Sequence, residues 1–320
     1  MISLLELQKH FINLRLGTFI HFSSGTVQFN SSETEDWEFE CENNDKHRLY
    51  PFNEKDWNPL NLDCDQWAAV AKSGGCKFAA YITKHHEGFA MWPTAYSEHS
   101  VKNATNKTDV VAAYLEAFRK VGIEAGLYYS VLDLTAGINR KSCNDEQKKI
   151  IKGQISELLT NYGEIPFLIV DGWNSPWGGP SYEMLPFEEV DELVKSLQPN
   201  CLLMNIGWTK GIDGSDILFF ENAAGQDVSS GFEGPGALCQ KLTGTWFWRA
   251  TDAVTNPASA TWALEKMYPC FPMNVNFILN LSPNKEGRID ENLANEFAKL
   301  GEELILPDPI KEIPNGWLKR

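Results

Sequence analysis

The chain has 320 residues, 43% of them hydrophobic, enough to bury the core of one barrel-sized domain or of two smaller ones. A formal net charge of −15 and the lack of clustered Lys and Arg exclude a nucleic-acid or anionic-membrane partner and favour a neutral substrate. Seven cysteines, an odd number spread from Cys41 to Cys270 without a CxxC pair, suggest neither a disulfide framework nor a zinc site.

The first ten residues carry no basic n-region and no apolar h-region, and no later run of about 18 apolar residues could span a bilayer. As written the chain reads as cytoplasmic, or as secreted or periplasmic had a signal peptide been removed. The first short apolar run, 17–22, predicts a strand that carries His21 near its end. The stretch 23–62 is long and rich in charged, Asn and aromatic residues, which predicts a rim loop or lid. A helix is expected over 63–74, with Asp63 as its N-cap and a Gly-Gly stop, followed by a strand at 78–84.

Helices at 108–122, 145–162, 187–197 and 290–304 then alternate with strands at 125–131, 167–171, 201–206, 217–221, 245–249 and 275–281. Most of these strands are continuously apolar, as parallel strands covered on both faces are. Eight strands in alternation with helices predict an α/β fold, a (β/α)8-like TIM barrel, possibly irregular. No linker, low-complexity tract or fixed-period repeat divides it, so a single catalytic domain over 1–320 is expected, with no C-terminal β-sandwich. GxGxxG and GxxxxGK[ST] are absent, which argues against an open nucleotide-binding sheet.

Barrel chemistry happens at the C-terminal ends of strands. Those ends collect His21, His85 and His86, Tyr128, Asp133, Asp171 and Glu221. Asp171 ends one of the most apolar strands, and Glu221 ends another in the same manner; an acid there is costly to bury unless neighbours hold it. Each alone reads as well as a turn cap or a rim ion pair. Together, two separate carboxylates among histidines and aromatics match glycoside hydrolysis, where one carboxylate attacks or activates water and the other donates a proton. A zinc set of His21, His85, His86 and Asp171 would require the strand to break before His85, because adjacent strand residues point to opposite faces. No metal and no organic cofactor are expected. No GxSxG elbow supports a serine hydrolase.

Several segments, in order along nearly the whole chain, resemble glycoside hydrolase family 29, the retaining α-L-fucosidases. They are Gly17-Thr18-Phe19-Ile20-His21, then Lys84-His85-His86-Glu87-Gly88-Phe89-Ala90-Met91-Trp92-Pro93, Gly126-Leu127-Tyr128-Tyr129-Ser130, Val170-Asp171-Gly172 and Asn276-Phe277-Ile278-Leu279-Asn280-Leu281-Ser282-Pro283. The resemblance implies exo-hydrolysis of terminal fucose from a small fucosylated glycan, with Asp171 as nucleophile and Glu221 as acid/base. It implies that His21, Asp36, Trp37, His85, His86 and Tyr128 hold the sugar hydroxyls. Trp246 or Trp248 would lie against the C5 methyl. Glu233 and Glu87 remain rivals for the acid/base.

Departures from the family pattern leave other readings open. Ile169 stands where Trp is usual, no arginine follows Asn205 at 206–208, so a cation near the nucleophile would be missing or come from Arg249, and His21 is followed by Phe22-Ser23-Ser24 rather than Trp-Gly. A related exo-glycosidase of the α-L-galactosidase type, or a catalytically silent sugar-binding barrel, are the alternatives.

Overall fold

The computed structural model describes residues 2–28, 52–175, 178–206, 215–222, 225–315 and 317. Eight parallel strands close into one barrel in sequence order, β1 (Leu16–Ile20), β2 (Phe78–Lys84), β3 (Glu124–Ser130), β4 (Phe167–Asp171), β5 (Leu202–Ile206), β6 (Ile217–Glu221), β7 (Gly236–Gln240) and β8 (Val275–Leu281), with β8 returning to pair with β1. Described helices are α1 (Leu4–Asn13), α2 (Ser24–Gln28), α3 (Cys64–Ser73), α4 (Val110–Lys120), α5 (Asp145–Thr160), α6 (Phe187–Leu197), α7 (Ala260–Met267) and α8 (Glu291–Glu303). Side-chain caps start several as the sequence predicts: Asp63 accepts from Gln66 N, Asp109 from Ala112 N and Asn144 from Gln147 N. The barrel is therefore the expected one. Among the described residues no helix is long and apolar enough to cross a membrane, and the six described cysteines are all buried and unpaired.

The seventh strand corrects the sequence reading. Residues 245–249 look strand-like because Thr-Trp-Phe-Trp is β-prone, yet they form an irregular segment, and β7 is the plainer Gly236-Ala237-Leu238-Cys239-Gln240. Preceded by Gly234-Pro235, that run reads locally as a turn; only its pairing with β6 on one side and β8 on the other makes it a strand.

Strand alternation sorts side chains into two separate apolar clusters. Phe19, Ala80, Tyr128, Ile169, Met204, Phe219, Cys239 and Ile278 fill the barrel interior, whereas their neighbours Ile20, Tyr81, Leu127, Val170, Leu203, Leu238 and Leu279 pack outward in the helix layer. The N-terminal end of the barrel is plugged. Phe11 of α1 meets Phe78 at 4.9 Å and Phe167 at 5.4 Å between ring centroids, and Trp317 joins the same cluster. Each such buried ring contributes about 1.5–3 kcal/mol. Gly17 and Gly126 give these rings room, since a Cβ at either would stand 2.3 and 2.2 Å from Phe78 and Phe167.

One irregularity shapes the open end. Ile82 pairs with Tyr128 but Lys84 with Tyr129, so Thr83 is an extra residue, a β-bulge that inverts the alternation. Thr83 Oγ1 donates to the Tyr128 carbonyl at 2.6 Å and its carbonyl accepts from Met91 N, which keeps the bulge's polar groups satisfied. Lys84 consequently turns outward, and His85 faces the interior.

Candidate active site

The same alternation carries inward-facing side chains up to the open end of the barrel. His21 follows Phe19 by two residues, Asp171 follows Ile169, Glu221 follows Phe219 and Asn280 follows Ile278. With the inverted β2, His85 and His86 both stand past the strand end at Lys84, their ring centroids 4.1 Å apart, so the break that allows adjacent histidines to converge is present.

Asp171 sits at the centre of this group. Tyr128 Oη donates to its Oδ2 at 2.6 Å, the Gly172 N–H donates to its Oδ1 at 2.5 Å, and His86 Nε2 lies 3.8 Å from Oδ2. Burial pushes the Asp171 carboxyl above the ordinary aspartate range, opposed by the Tyr128 hydroxyl, the neighbouring His85 ring and the Gly172 amide. Gly172 has φ +85°, and a Cβ there would come within 2.8 Å of Leu132, so the turn after the carboxylate requires glycine.

Partners fix the proton positions of two histidines. Asn280 Nδ2 donates to the Trp246 carbonyl, so its Oδ1 must accept from His21 Nδ1–H at 2.7 Å. Burial holds His21 well below the ordinary histidine range, which makes it neutral with Nε2 as an acceptor. Ser130 Oγ donates to the Leu132 carbonyl and therefore accepts from His86 Nδ1–H at 2.7 Å. One ring nitrogen each of His85 and His86 and one carboxylate oxygen of Asp171, a set that could also ligate a metal ion, lie within 4.8 Å of one another. That spacing suits hydrogen bonds around a polyol, and both Asp171 oxygens are already engaged.

Aromatic faces close one wall. Trp246 stacks on His21 at 5.0 Å and 26°, and Phe247 stands edge-on to both His21 and His85. Trp248 is turned elsewhere, its indole N–H donating to Asp290 Oδ2 at 2.6 Å ahead of α8. Of the two candidate tryptophans only Trp246 faces the cup.

Glu221 ends β6 in register with Cys239 of β7, half-buried, and its backbone N–H is held by Gln226 Oε1 at 2.9 Å. Its charge and that of Asp171 both act on the Tyr128 phenol and on the Cys239 thiol, which burial above all drives upward. By parity Glu221 stands on the inward side of β6, two residues past Phe219, as Asp171 stands two residues past Ile169 on β4. Glu233 is excluded from the open end, because it precedes β7 at the N-terminal end of the barrel, where its carbonyl accepts from Trp317 and Asn274. Glu87 is not a carboxyl facing Asp171 either; it is turned onto Ser23 and Ser24.

Asp133 falls outside the cup. It pairs with Lys84 at 2.8 Å in the buried layer behind the strands. Arg249 lies beside Asp252, and its backbone N–H donates to that carboxylate. Among the described residues Lys241 brings a cation to the rim, its Nζ 5.5 Å from the Trp246 ring. Asp36 and Trp37 lie outside the described residues. Sequence reasoning missed Asn280, Ser130, Phe247 and Lys241. An Asn at an inward position of the apolar β8 was a usable signal for the first; Phe247 and Lys241 were hidden by the misplaced seventh strand.

The family model described as alpha-L-fucosidase matches residues 3–305. The chain belongs to the alpha-L-fucosidase family. Relatives in this family include Alpha-L-fucosidase 1 of Arabidopsis thaliana, 30% identical over 271 residues that cover 76% of this chain and 52% of that protein. The tissue alpha-L-fucosidase of Homo sapiens is 23% identical over 87% of this chain and 63% of its own length. The chain spans about half the length of the curated plant relatives it matches. Among solved structures, alpha-L-fucosidase isoenzyme 1 from Paenibacillus thiaminolyticus superposes with a TM-score of 0.76 at 24% identity, over 94% of this chain and 76% of that one. A Bacteroides thetaiotaomicron alpha-L-fucosidase, described as a trapped covalent intermediate with 2-fluoro-fucosyl fluoride, gives 0.74 at 18% identity over 92% of this chain and 73% of that one. Both share the barrel fold of this fucosidase family member.

Proposed function

We propose that this chain is the catalytic unit of an exo-acting α-L-fucosidase that releases terminal fucose from glycans with retention of configuration. The observation that carries the reading is the placement of Asp171 and Glu221 at the mouth ends of β4 and β6, each at an inward-facing position of its strand, with Tyr128 bonded to Asp171. In the first step a carboxylate oxygen of Asp171 bonds the anomeric carbon while Glu221 gives its proton to the departing glycosidic oxygen. In the second, Glu221 takes a proton from water, which displaces the sugar from Asp171. The covalent intermediate described for the Bacteroides structure is consistent with this scheme.

The surroundings suit the sugar. The acceptor nitrogen of His21, the His86 ring and the Tyr128 hydroxyl offer hydrogen bonds to ring hydroxyls, and Asp36 and Trp37 are proposed to add to them. Trp246 and Phe247 supply an apolar wall for the C5 methyl. Phe19, Phe219 and Tyr128 block the barrel beneath, so only a chain-terminal residue would enter. The scheme uses neither metal nor organic cofactor.

The test is release of aryl alcohol from an aryl α-L-fucoside, with NMR of the first-formed sugar. The expected result is α-fucose first, loss of turnover in Asp171→Gly, and partial rescue by azide as the β-azide. A β-fucose first product, or full activity in Asp171→Gly, would refute it. Faster hydrolysis of the matching α-L-galactoside would reassign the sugar.

A further inference from the structure

We infer that Glu87 is a positioning residue of the sugar cup: with Ser23 and Ser24 it fixes the protonated nitrogen of His85, so that His85 meets the substrate through Nε2. The substrate in that statement rests on the fucosidase reading; the contact itself rests on geometry. Asn280 and Ser130 perform this service for His21 and His86. For His85 the corresponding group is a carboxylate, Glu87 Oε2, 3.5 Å from Nδ1, an ion-pair distance longer than a formed hydrogen bond.

The other carboxylate oxygen is anchored. Glu87 Oε1 accepts from Ser23 Oγ at 3.1 Å and from Ser24 Oγ at 2.7 Å, and both serines are fully buried. Ser23 stands where the resembling family pattern His-Trp-Gly has its Gly, and Ser24 follows it, so the paired hydroxyls are a feature of this sequence that the hydrolytic scheme leaves unused. The backbone cannot swing the carboxylate toward the mouth. Thr135 Oγ1 donates to the Glu87 carbonyl at 2.7 Å, Leu134 N donates to the His86 carbonyl, and Gly88, at φ +95°, packs so closely on Asp133 that a Cβ would meet its Oδ1 at 2.2 Å.

The ring is held on its other sides too. His85 stacks on Tyr128 at 5.9 Å and 10°, contacts His86, and takes Phe247 edge-on. Around this group, among the described residues, the charged or titratable neighbours include His21 after β1, His86 after β2, Tyr128 from β3, Asp171 from β4, Glu221 from β6, Cys239 and Lys241 from β7 and its exit, and the Lys84–Asp133 pair behind the loop. Were Nε2 the protonated atom of a neutral ring, the Nδ1 lone pair would face a buried anion at 3.5 Å, a repulsive arrangement. Burial opposes ionisation of Glu87, yet the His85 contact and the Ser24 hydroxyl hold its carboxyl below the ordinary range, so the anion persists.

The experiment is imidazole nitrogen NMR on the full chain labelled with 15N-histidine, alongside kcat/KM for an aryl α-L-fucoside. Wild type should show His85 protonated at Nδ1. Glu87→Met should lose that signature and about 10- to 100-fold in kcat/KM, the scale of one hydrogen bond to a charged group. Glu87→Gln, which keeps an acceptor, should retain Nδ1–H and recover part of the rate. If Glu87→Met does not fold, the Ser23→Ala/Ser24→Ala pair carries the test, with a smaller fall in the same direction and a second tautomer appearing. An Nε2–H tautomer in wild type, or a Glu87→Met protein with the tautomer and kcat/KM unchanged, overturns the inference. A wild-type protein with Nδ1–H at His85 but no fucoside hydrolysis supports the contact and refutes the function reading alone.

Discussion

Tyr128→Phe isolates what holds the nucleophile ready. The ring stays, so the packing against Phe19 and the stack on His85 are preserved, and only the hydroxyl that donates to Asp171 Oδ2 at 2.6 Å is removed. Burial drives the Tyr128 phenol well above its ordinary range, so it remains a donor at every working pH. Among the influences that oppose burial at Asp171, this hydrogen bond is the largest. A hydrogen bond to a charged group contributes roughly 1.5–3 kcal/mol, and about 1.4 kcal/mol corresponds to one pKa unit. The variant should therefore raise the Asp171 pKa by roughly one to two units. Because the attacking form is the carboxylate, the acidic limb of the kcat/KM profile should move to higher pH by that amount, while the rate at high pH falls far less. The assay is the pH dependence of aryl α-L-fucoside hydrolysis for both proteins. An acidic limb that stays in place, or a uniform loss at all pH values, would refute the assignment of Tyr128 as the group that keeps Asp171 ionised.

Glu221→Ala should cost about 10²- to 10⁴-fold on substrates with poor leaving groups and far less on dinitrophenyl fucoside, since only the former need a proton in the first step; equal losses in a leaving-group series would place the acid elsewhere. Lys84→Met strands a buried carboxylate, Asp133, behind the His85–Glu87 loop, and should lower stability by about 3–5 kcal/mol in denaturant unfolding. A loss under about 1 kcal/mol would show that water reaches the pair. Asp171→Asn should be inactive and more stable than wild type at neutral pH. The folded pKa of Asp171 is raised, so the favourable contribution of the carboxyl is present below the unfolded value and lost as pH rises through the folded one, by about 1.4 kcal/mol for every pH unit that separates the two values. The melting-temperature gap between the two proteins should open with rising pH, and a constant gap would contradict the raised pKa.

Alternation and composition alone determined most of the architecture. Seven of the eight strands lie where continuous apolar runs between helical patterns place them, because a strand buried on both faces is visible without its neighbours. The positions of His21, Tyr128, Asp171 and Glu221 at strand ends were equally legible, since parity and strand length set them. Three features needed the assembled barrel. β7 is a strand only because β6 and β8 offer unpaired edges on either side, whereas the more β-prone 245–249 is drawn off to cover His21. The bulge at Thr83, which brings His85 and His86 onto one face, follows from register against β3 and leaves no mark in local propensity. The fate of each carboxylate, with Glu221 at the mouth, Glu233 at the closed end and Glu87 turned onto two serines, is a matter of which distant groups surround it. Residues that meet across tens or hundreds of positions are brought together by closure of the barrel, and nothing short of that closure selects among chemically identical side chains.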